Sequence, residues 1–318
     1  MSSVSPPQGK GSFLPNPISG FVEGVLYRGR EGHLLYLGHR LAGLGTLLFL
    51  AIHILDTSTV YFFPKLYPHA IDIYRSTAFM LQEMVLVVAV IYHGVNGLKI
   101  ILNDTFPHWW TKRDERQSFW RIAVLCTLLS APPVLIMGRN LYVNNICQCP
   151  PPTTANAEAV NNVASSFALI SIPILFVVIL AVLAFGASLD GTARPARAAG
   201  VPSRNLETYA WLFMRWSGAL LIPLAWVHVL IQDVLVGVHA INLDFVALRW
   251  ATLGWRVYDI FLLVFAFGHG MNGLRGVVND YVRHPGWNKA LKWAMFVGWV
   301  AITAIGSAAI VGGVAKQP

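Results

Sequence analysis

Seven apolar stretches, each long enough to cross a bilayer as a helix, leave this chain few ways to fold. They run Leu41–Tyr61, Gln82–Leu102, Ile122–Leu141, Phe167–Ser188, Leu212–Gln232, Tyr258–Val278 and Leu291–Val314. A helix of about 20 residues, rising about 1.5 Å per residue, crosses roughly 30 Å of hydrocarbon. With 55% hydrophobic and 12% charged side chains in 318 residues, the chain lacks the polar surface to cover a water-soluble globule of its size. The expected fold is an all-α integral membrane protein with about seven transmembrane helices.

The net charge of +8 raises the question of nucleic acid, and the placement of the cations answers it. Seventeen of the 23 Lys and Arg residues fall in alternate loops, from Lys10 to Arg40, Lys99 to Arg121, Arg194 to Arg215 and Arg275 to Lys292. Six fall on the other side: Lys65, Arg75, Arg139, Arg249, Arg256 and Lys316. Basic loops stay cytoplasmic, which predicts an inner N-terminus, an outer C-terminus and no nucleic-acid partner. The stretch 1–33 is rich in Pro, Gly and Ser and reads as a cytoplasmic lead-in, not a secretory signal. Three cysteines make neither a disulfide framework nor a zinc site. Cys147 and Cys149, before a Pro-rich stretch, read as an outer loop that an oxidising compartment would let close into a disulfide, with a redox or metal role as the alternative.

The chain also repeats itself. Arg40-x-x-Gly43 leads to His53, and Arg215-x-x-Gly218 leads to His228 after the same interval. His93-Gly94-Val95-Asn96-Gly97-Leu98-Lys99, followed by Asn103-Asp104, returns as His269-Gly270-Met271-Asn272-Gly273-Leu274-Arg275, followed by Asn279-Asp280. The offsets from His53 to His228 and from His93 to His269 differ by a single position, so the two matches are in register. Each unit of three spans starts inside and ends outside, so two parallel units need one more crossing between them, which Phe167–Ser188 supplies without a charge. The predicted organisation is an N-terminal segment (1–33), a first three-helix repeat (34–145), an outer Pro-rich loop (146–166), a linking helix (167–188), a cytoplasmic loop (189–206) and a second repeat (207–318).

Of ten histidines, His53, His93, His228 and His269 lie within the repeated spans. Intramembrane ionisable residues are candidate functional sites, and four in symmetric register point to a shared task. With Arg40 and Arg215 marking the inner interface, His53 and His228 lie roughly 20 Å outward by helix rise. With Lys99 and Arg275 as the same marker, His93 and His269 lie roughly 9 Å outward. Two imidazoles at one level provide the axial ligands of a six-coordinate b-type haem, and two levels predict two haems within a four-helix core. Gly97 and Gly273 stand one helical turn after the inner histidines and share their face, and Gly43 and Gly218 stand almost three turns before the outer ones. All four are candidates for letting a porphyrin approach the backbone, and helix packing is their other reading. Lys99 and Arg275 are candidate partners for haem propionates.

His39-Arg40-x-x-Gly43, with His93 before Gly97-Leu98-Lys99 and Asp104, resembles the larger cytochrome b anchor subunit of the succinate dehydrogenase and fumarate reductase family. Arg215-x-Ser217-Gly218, with His269 before Asp280-Tyr281, resembles its smaller partner. The resemblance covers about residues 30–140 and 205–315 and implies a fusion of the two. It implies a cytoplasmic-membrane subunit of a bacterium or archaeon that anchors a flavoprotein and an iron-sulfur subunit on the cytoplasmic face. Such a subunit passes electrons to or from membrane quinone without itself acting on the dicarboxylate. By resemblance, His93 and His269 are the proximal ligands, and His53 and His228 are the distal ligands of the diheme members. By the same resemblance, Tyr281 bonds a quinone carbonyl, Asp280 supports proton delivery, and Arg40, with His39 and Tyr36, orients the head group. Tyr36 stands where the family often carries Ser. Diheme members are often associated with menaquinone rather than ubiquinone. Reaction direction and oligomeric state stay open, as do three other readings: a seven-span transporter, which predicts broken helices; a haem-free structural anchor, which leaves the two level-matched histidine pairs unexplained; and a diheme quinol-oxidising subunit serving another dehydrogenase.

Overall fold

The computed structural model describes residues 30–106, 115–149 and 205–315. Among these, the ordered elements are helical throughout. They are α1 (Glu31–Phe62), α2 (Tyr67–Tyr74), α3 (Thr77–Thr105), α4 (Glu115–Leu141), α5 (Leu206–Val229), α6 (Leu243–Trp250), α7 (Leu253–Tyr281) and α8 (Pro285–Gly312). Two π-helical extensions, Tyr142–Ile146 after α4 and Leu230–Val236 after α5, and a 3-10 turn at Val238–Ala240 complete the set. Six helices among the described residues are long and apolar enough to cross a bilayer. This is a multi-pass, all-helical membrane protein. The seventh predicted span, Phe167–Ser188, lies outside the described residues.

Polar caps start several of the helices. The side chains of Ser76, Asn205 and Asn242 accept the backbone N–H three residues on, starting α3, α5 and α6. Pro285, in the first turn of α8, follows His284, which caps that helix. Within hydrocarbon a helix satisfies its own backbone, so the side chains are free to face lipid. They do: only 17–22% of each spanning window is buried inside the protein.

The arrangement is a ring of four with two flanking helices. α1 packs on α3, α3 on α5, α5 on α7, and α7 back on α1. α4 lies against α3 and α1, while α8 lies against α7 and α1. Close approach there depends on Gly306, where a Cβ would stand 2.8 Å from both Ile54 of α1 and Leu263 of α7.

The repeat is written into the contacts. Asn96 Nδ2 donates to the Leu35 carbonyl at 3.3 Å, and Asn272 Nδ2 to the Ala210 carbonyl at 3.0 Å, joining first and second helices in each half. Arg40 of α1 pairs with Asp280 of α7 at 2.6 Å, and Arg215 of α5 pairs with Asp104 of α3. Exchanging the halves turns each ion pair into the other, which requires a pseudo-two-fold relation between them.

The ends of the bundle opposite the Arg40 and Arg215 ion pairs are tied by polar contacts. Arg75 Nη2 donates to the Ile241 carbonyl at 2.8 Å, linking the two halves at that end. Tyr74 OH donates to Asp56 Oδ2 at 2.9 Å, and burial, then Asp56, push its phenol above the ordinary range. Cys147 and Cys149 form a disulfide at the end of the π-helical extension of α4. One cation counted at the outer face behaves otherwise. Arg249 is 3% exposed and pairs with Asp259 at 2.6 Å, with Trp250 Nε1 donating to the same carboxylate at 2.8 Å. Burial opposes its charge and the Asp259 carboxylate outweighs that, so the guanidinium stays charged.

Candidate functional site

The four intramembrane histidines meet in two pairs within the four-helix ring. His53 of α1 faces His228 of α5 with ring centroids 6.1 Å apart and planes at 82°. His93 of α3 faces His269 of α7 at 6.2 Å and 85°. The two gaps permit a direct test of fit. A metal held between two imidazoles by bonds of about 2 Å, with the half-width of each ring added, asks for centroids roughly 6 Å apart. Both pairs meet that spacing, so the residues present fit two bis-histidine haem irons.

Depth differs from the reading by helix rise. A Cβ on Gly43 would stand 2.7 Å from His93 Cε1, and one on Gly218 3.3 Å from His269 Cε1. The inner pair therefore lies beside residues almost three turns before His53 and His228, a separation of roughly 15 Å along the helices. It also lies less than one turn beyond Arg40 and Arg215. Those arginines reach along the bundle to Asp280 and Asp104 near the ends of α7 and α3.

The glycines divide accordingly. Gly43 and Gly218 make room for the inner imidazoles themselves. A Cβ on Gly97 would lie 3.5 Å from His39 Cε1, and one on Gly273 3.9 Å from Met214 Cε, so both face the preceding helix of their own half. Arg275 is already occupied: Nη1 and Nη2 donate to Glu207 at 2.6 and 2.8 Å. Lys99 is half-buried at the corresponding place in the first half and forms no ion pair among the described residues.

Between the N-terminal part of α1 and the C-terminal end of α7 a polar cluster assembles. Arg40 Nη1 donates to Tyr36 OH and Nη2 to Asp280 Oδ2 at 2.6 Å. The guanidinium also lies over the rings of Tyr36 and Tyr281, at 5.1 and 5.5 Å. Tyr36, Arg40, Asp280 and Tyr281 are thus brought together. His39 is not among them. It turns inward and stacks on His93 at 3.9 Å and 8°, because adjacent residues point about 100° apart on a helix.

The twin of this cluster, on the opposite side of the ring, has Trp211 for Tyr36 and Thr105 for Tyr281, with the Arg215 guanidinium 4.6 Å over Trp211. It keeps the ion pair without the two hydroxyphenyl groups. Sequence reasoning named neither this twin nor the Arg249–Asp259 pair. The repeat offsets carried the signal for the first, since Arg215 and Asp104 stand where Arg40 and Asp280 do. The helices around the histidines are continuous: α1, α3 and α7 run unbroken, and the π-helical stretch after α5 begins beyond His228.

A family model described as the succinate dehydrogenase/fumarate reductase transmembrane subunit matches residues 25–131 and 191–310. The succinate dehydrogenase 2 membrane subunit SdhC of Mycobacterium tuberculosis (strain ATCC 25618 / H37Rv) is 31% identical over 120 residues. That stretch is 37% of this chain and 85% of the relative, which is therefore less than half as long.

Proposed function

This chain belongs to the succinate dehydrogenase/fumarate reductase transmembrane subunit family, and from that premise we propose that it is a two-haem, quinone-reactive membrane anchor with both halves fused in one polypeptide. The observation that carries the reading is the pair of orthogonal histidine couples, 6.1 and 6.2 Å across, at two levels of one four-helix ring. His93 and His269 would hold the inner haem, and His53 and His228 the outer. The family match in two stretches either side of residues 132–190 supports the fusion. Each bound haem iron would supply a one-electron carrier between an iron-sulfur and flavoprotein pair on the cytoplasmic face and membrane quinone.

The quinone head group is assigned to the inner cluster. Tyr281 would donate its hydroxyl to a quinone carbonyl. Arg40, held from one side by Tyr36 and from the other by Asp280, would keep a cation beside the oxygen that gains charge on reduction. Asp280, whose side chain is 55% exposed, would support proton delivery to the reduced quinone. The cation distribution supports an inner N-terminus and an outer C-terminus in a bacterial or archaeal cytoplasmic membrane.

The test is a pyridine haemochrome count with a reduced-minus-oxidised spectrum on the purified membrane complex. Two b haems per chain are expected, falling to one in His53→Ala and to one in His269→Ala. Assembled wild-type protein without haem overturns the reading.

A further inference from the structure

The two histidines of the inner pair are held by different acceptors. His93 Nδ1 is 3.0 Å from the His39 carbonyl, and His269 Nδ1 is 2.9 Å from Ser217 Oγ. A carbonyl only accepts, so His93 carries its hydrogen on Nδ1. A serine hydroxyl does either, and its second bond settles which. Ser217 Oγ donates to the Phe213 carbonyl at 2.6 Å, which commits its one hydrogen. The lone pair left over receives Nδ1–H from His269, so both inner imidazoles carry their hydrogen on Nδ1 and leave Nε2 unprotonated.

The repeat explains why a serine is needed on one side alone. The position corresponding to Ser217 in the first half is Ala42, which has no hydroxyl. There His93 presses closer to its neighbouring helix, with Cε1 2.7 Å from where a Gly43 Cβ would be, and reaches a backbone carbonyl directly. His269 stands further off, 3.3 Å from the Gly218 position, and the serine side chain spans the difference. Ser217 is 1% exposed, so bulk water is no substitute acceptor. In the outer pair, His228 Nδ1 is buried with no hydrogen-bond partner among the described residues.

We infer that Ser217 is a positioning residue for the inner haem: it fixes the tautomer of His269 and, through that ligand, the oxidation equilibrium of the iron. This rests on the haem reading above. An acceptor on Nδ1–H makes Nε2 a stronger donor, which favours the oxidised metal. Removing it shifts the balance toward the reduced form.

The experiment is an anaerobic potentiometric titration of the whole purified complex, followed at the haem absorption bands and by low-spin EPR, in wild type, Ser217→Ala and Ser217→Thr. In Ser217→Ala the reduced-to-oxidised ratio of the inner haem at fixed potential is expected to rise about tenfold, equivalent to about 59 mV for one electron. The outer haem stays in place, and Ser217→Thr, which keeps a hydroxyl, returns the inner haem toward wild type. Loss of the inner haem alone in Ser217→Ala, with retention in Ser217→Thr, is the stronger form of the same result. An unchanged inner-haem potential and EPR signal in Ser217→Ala overturns the inference while two haems in wild type leave the haem reading standing. Absence of haem from wild type overturns that reading instead. Should Ser217→Ala fail to accumulate, Ser217→Cys decides: a shifted inner-haem potential supports the role, and an unshifted one overturns it.

Discussion

Arg40 and Asp280 lie far apart in sequence and meet at 2.6 Å across the two halves of the bundle. Arg215 and Asp104 make the same contact in the twin position. Two chemically equal ion pairs thus stand in unequal surroundings, since Tyr36 and Tyr281 flank the first where Trp211 and Thr105 flank the second.

That inequality separates structure from function by mutation. Arg40→Ala and Arg215→Ala are each expected to lower stability by about 1 kcal/mol or less, because both pairs are partly exposed. Only Arg40→Ala is expected to raise the KM for quinone, about tenfold or more. Thermal unfolding in detergent and quinone-reduction kinetics check this; equal rises in KM for both variants would remove the assignment of the head group to the Arg40 side.

Gly43 and Gly218 rank themselves by distance. A methyl on Gly43 meets His93 at 2.7 Å, where something must shift, and one on Gly218 meets His269 at 3.3 Å, where a small adjustment suffices. Gly43→Ala is expected to lose the inner haem, and Gly218→Ala to keep it with an altered absorption band. A haemochrome count on both variants gives the order, and full retention in Gly43→Ala contradicts it.

The buried Arg249–Asp259 pair predicts a large asymmetric cost. Their side chains are 4% and 10% exposed, so Arg249→Met leaves a carboxylate without its cation, which costs about 3–5 kcal/mol. Arg249→Met with Asp259→Asn is expected to recover much of that loss. Unfolding temperatures of the single and double variants measure it; additive losses would argue against the pair acting as a unit.

Acid sensitivity follows from His239 in the 3-10 turn Val238–Ala240. Burial, with Arg75 adding, holds this imidazole below its ordinary pKa of 6.5, and Nδ1 has no partner among the described residues. The unfolded chain therefore binds a proton that the folded one resists, so stability is full above about pH 6.5 and declines as pH falls below it. His239→Phe is expected to narrow the difference in unfolding temperature between about pH 7.5 and about pH 5.5, either side of the ordinary histidine pKa. An unchanged difference would place the acid response elsewhere.

The sequence by itself determined the membrane class, the repeat and the four histidines, because each is a matter of composition or spacing along one helix. Apolar length sets whether a segment spans, and the recurring interval from Arg to His needs no partner to be read. Six of the seven predicted spans correspond to described helices, and the seventh lies outside the described residues. What lies between helices was decided only in three dimensions. Which way His39 faces, that Gly43 makes room for an imidazole, that Glu207 occupies Arg275 and that Arg249 turns inward depend on how the helices are rotated about their axes. Helix rotation is set by packing against neighbours, and the near-uniform apolar surface of a membrane helix carries little record of which face meets which. The acceptor for His269 belongs to the same class: Ser217 stands in view in the sequence, and only the approach of α5 to α7 gives its hydroxyl a histidine to hold.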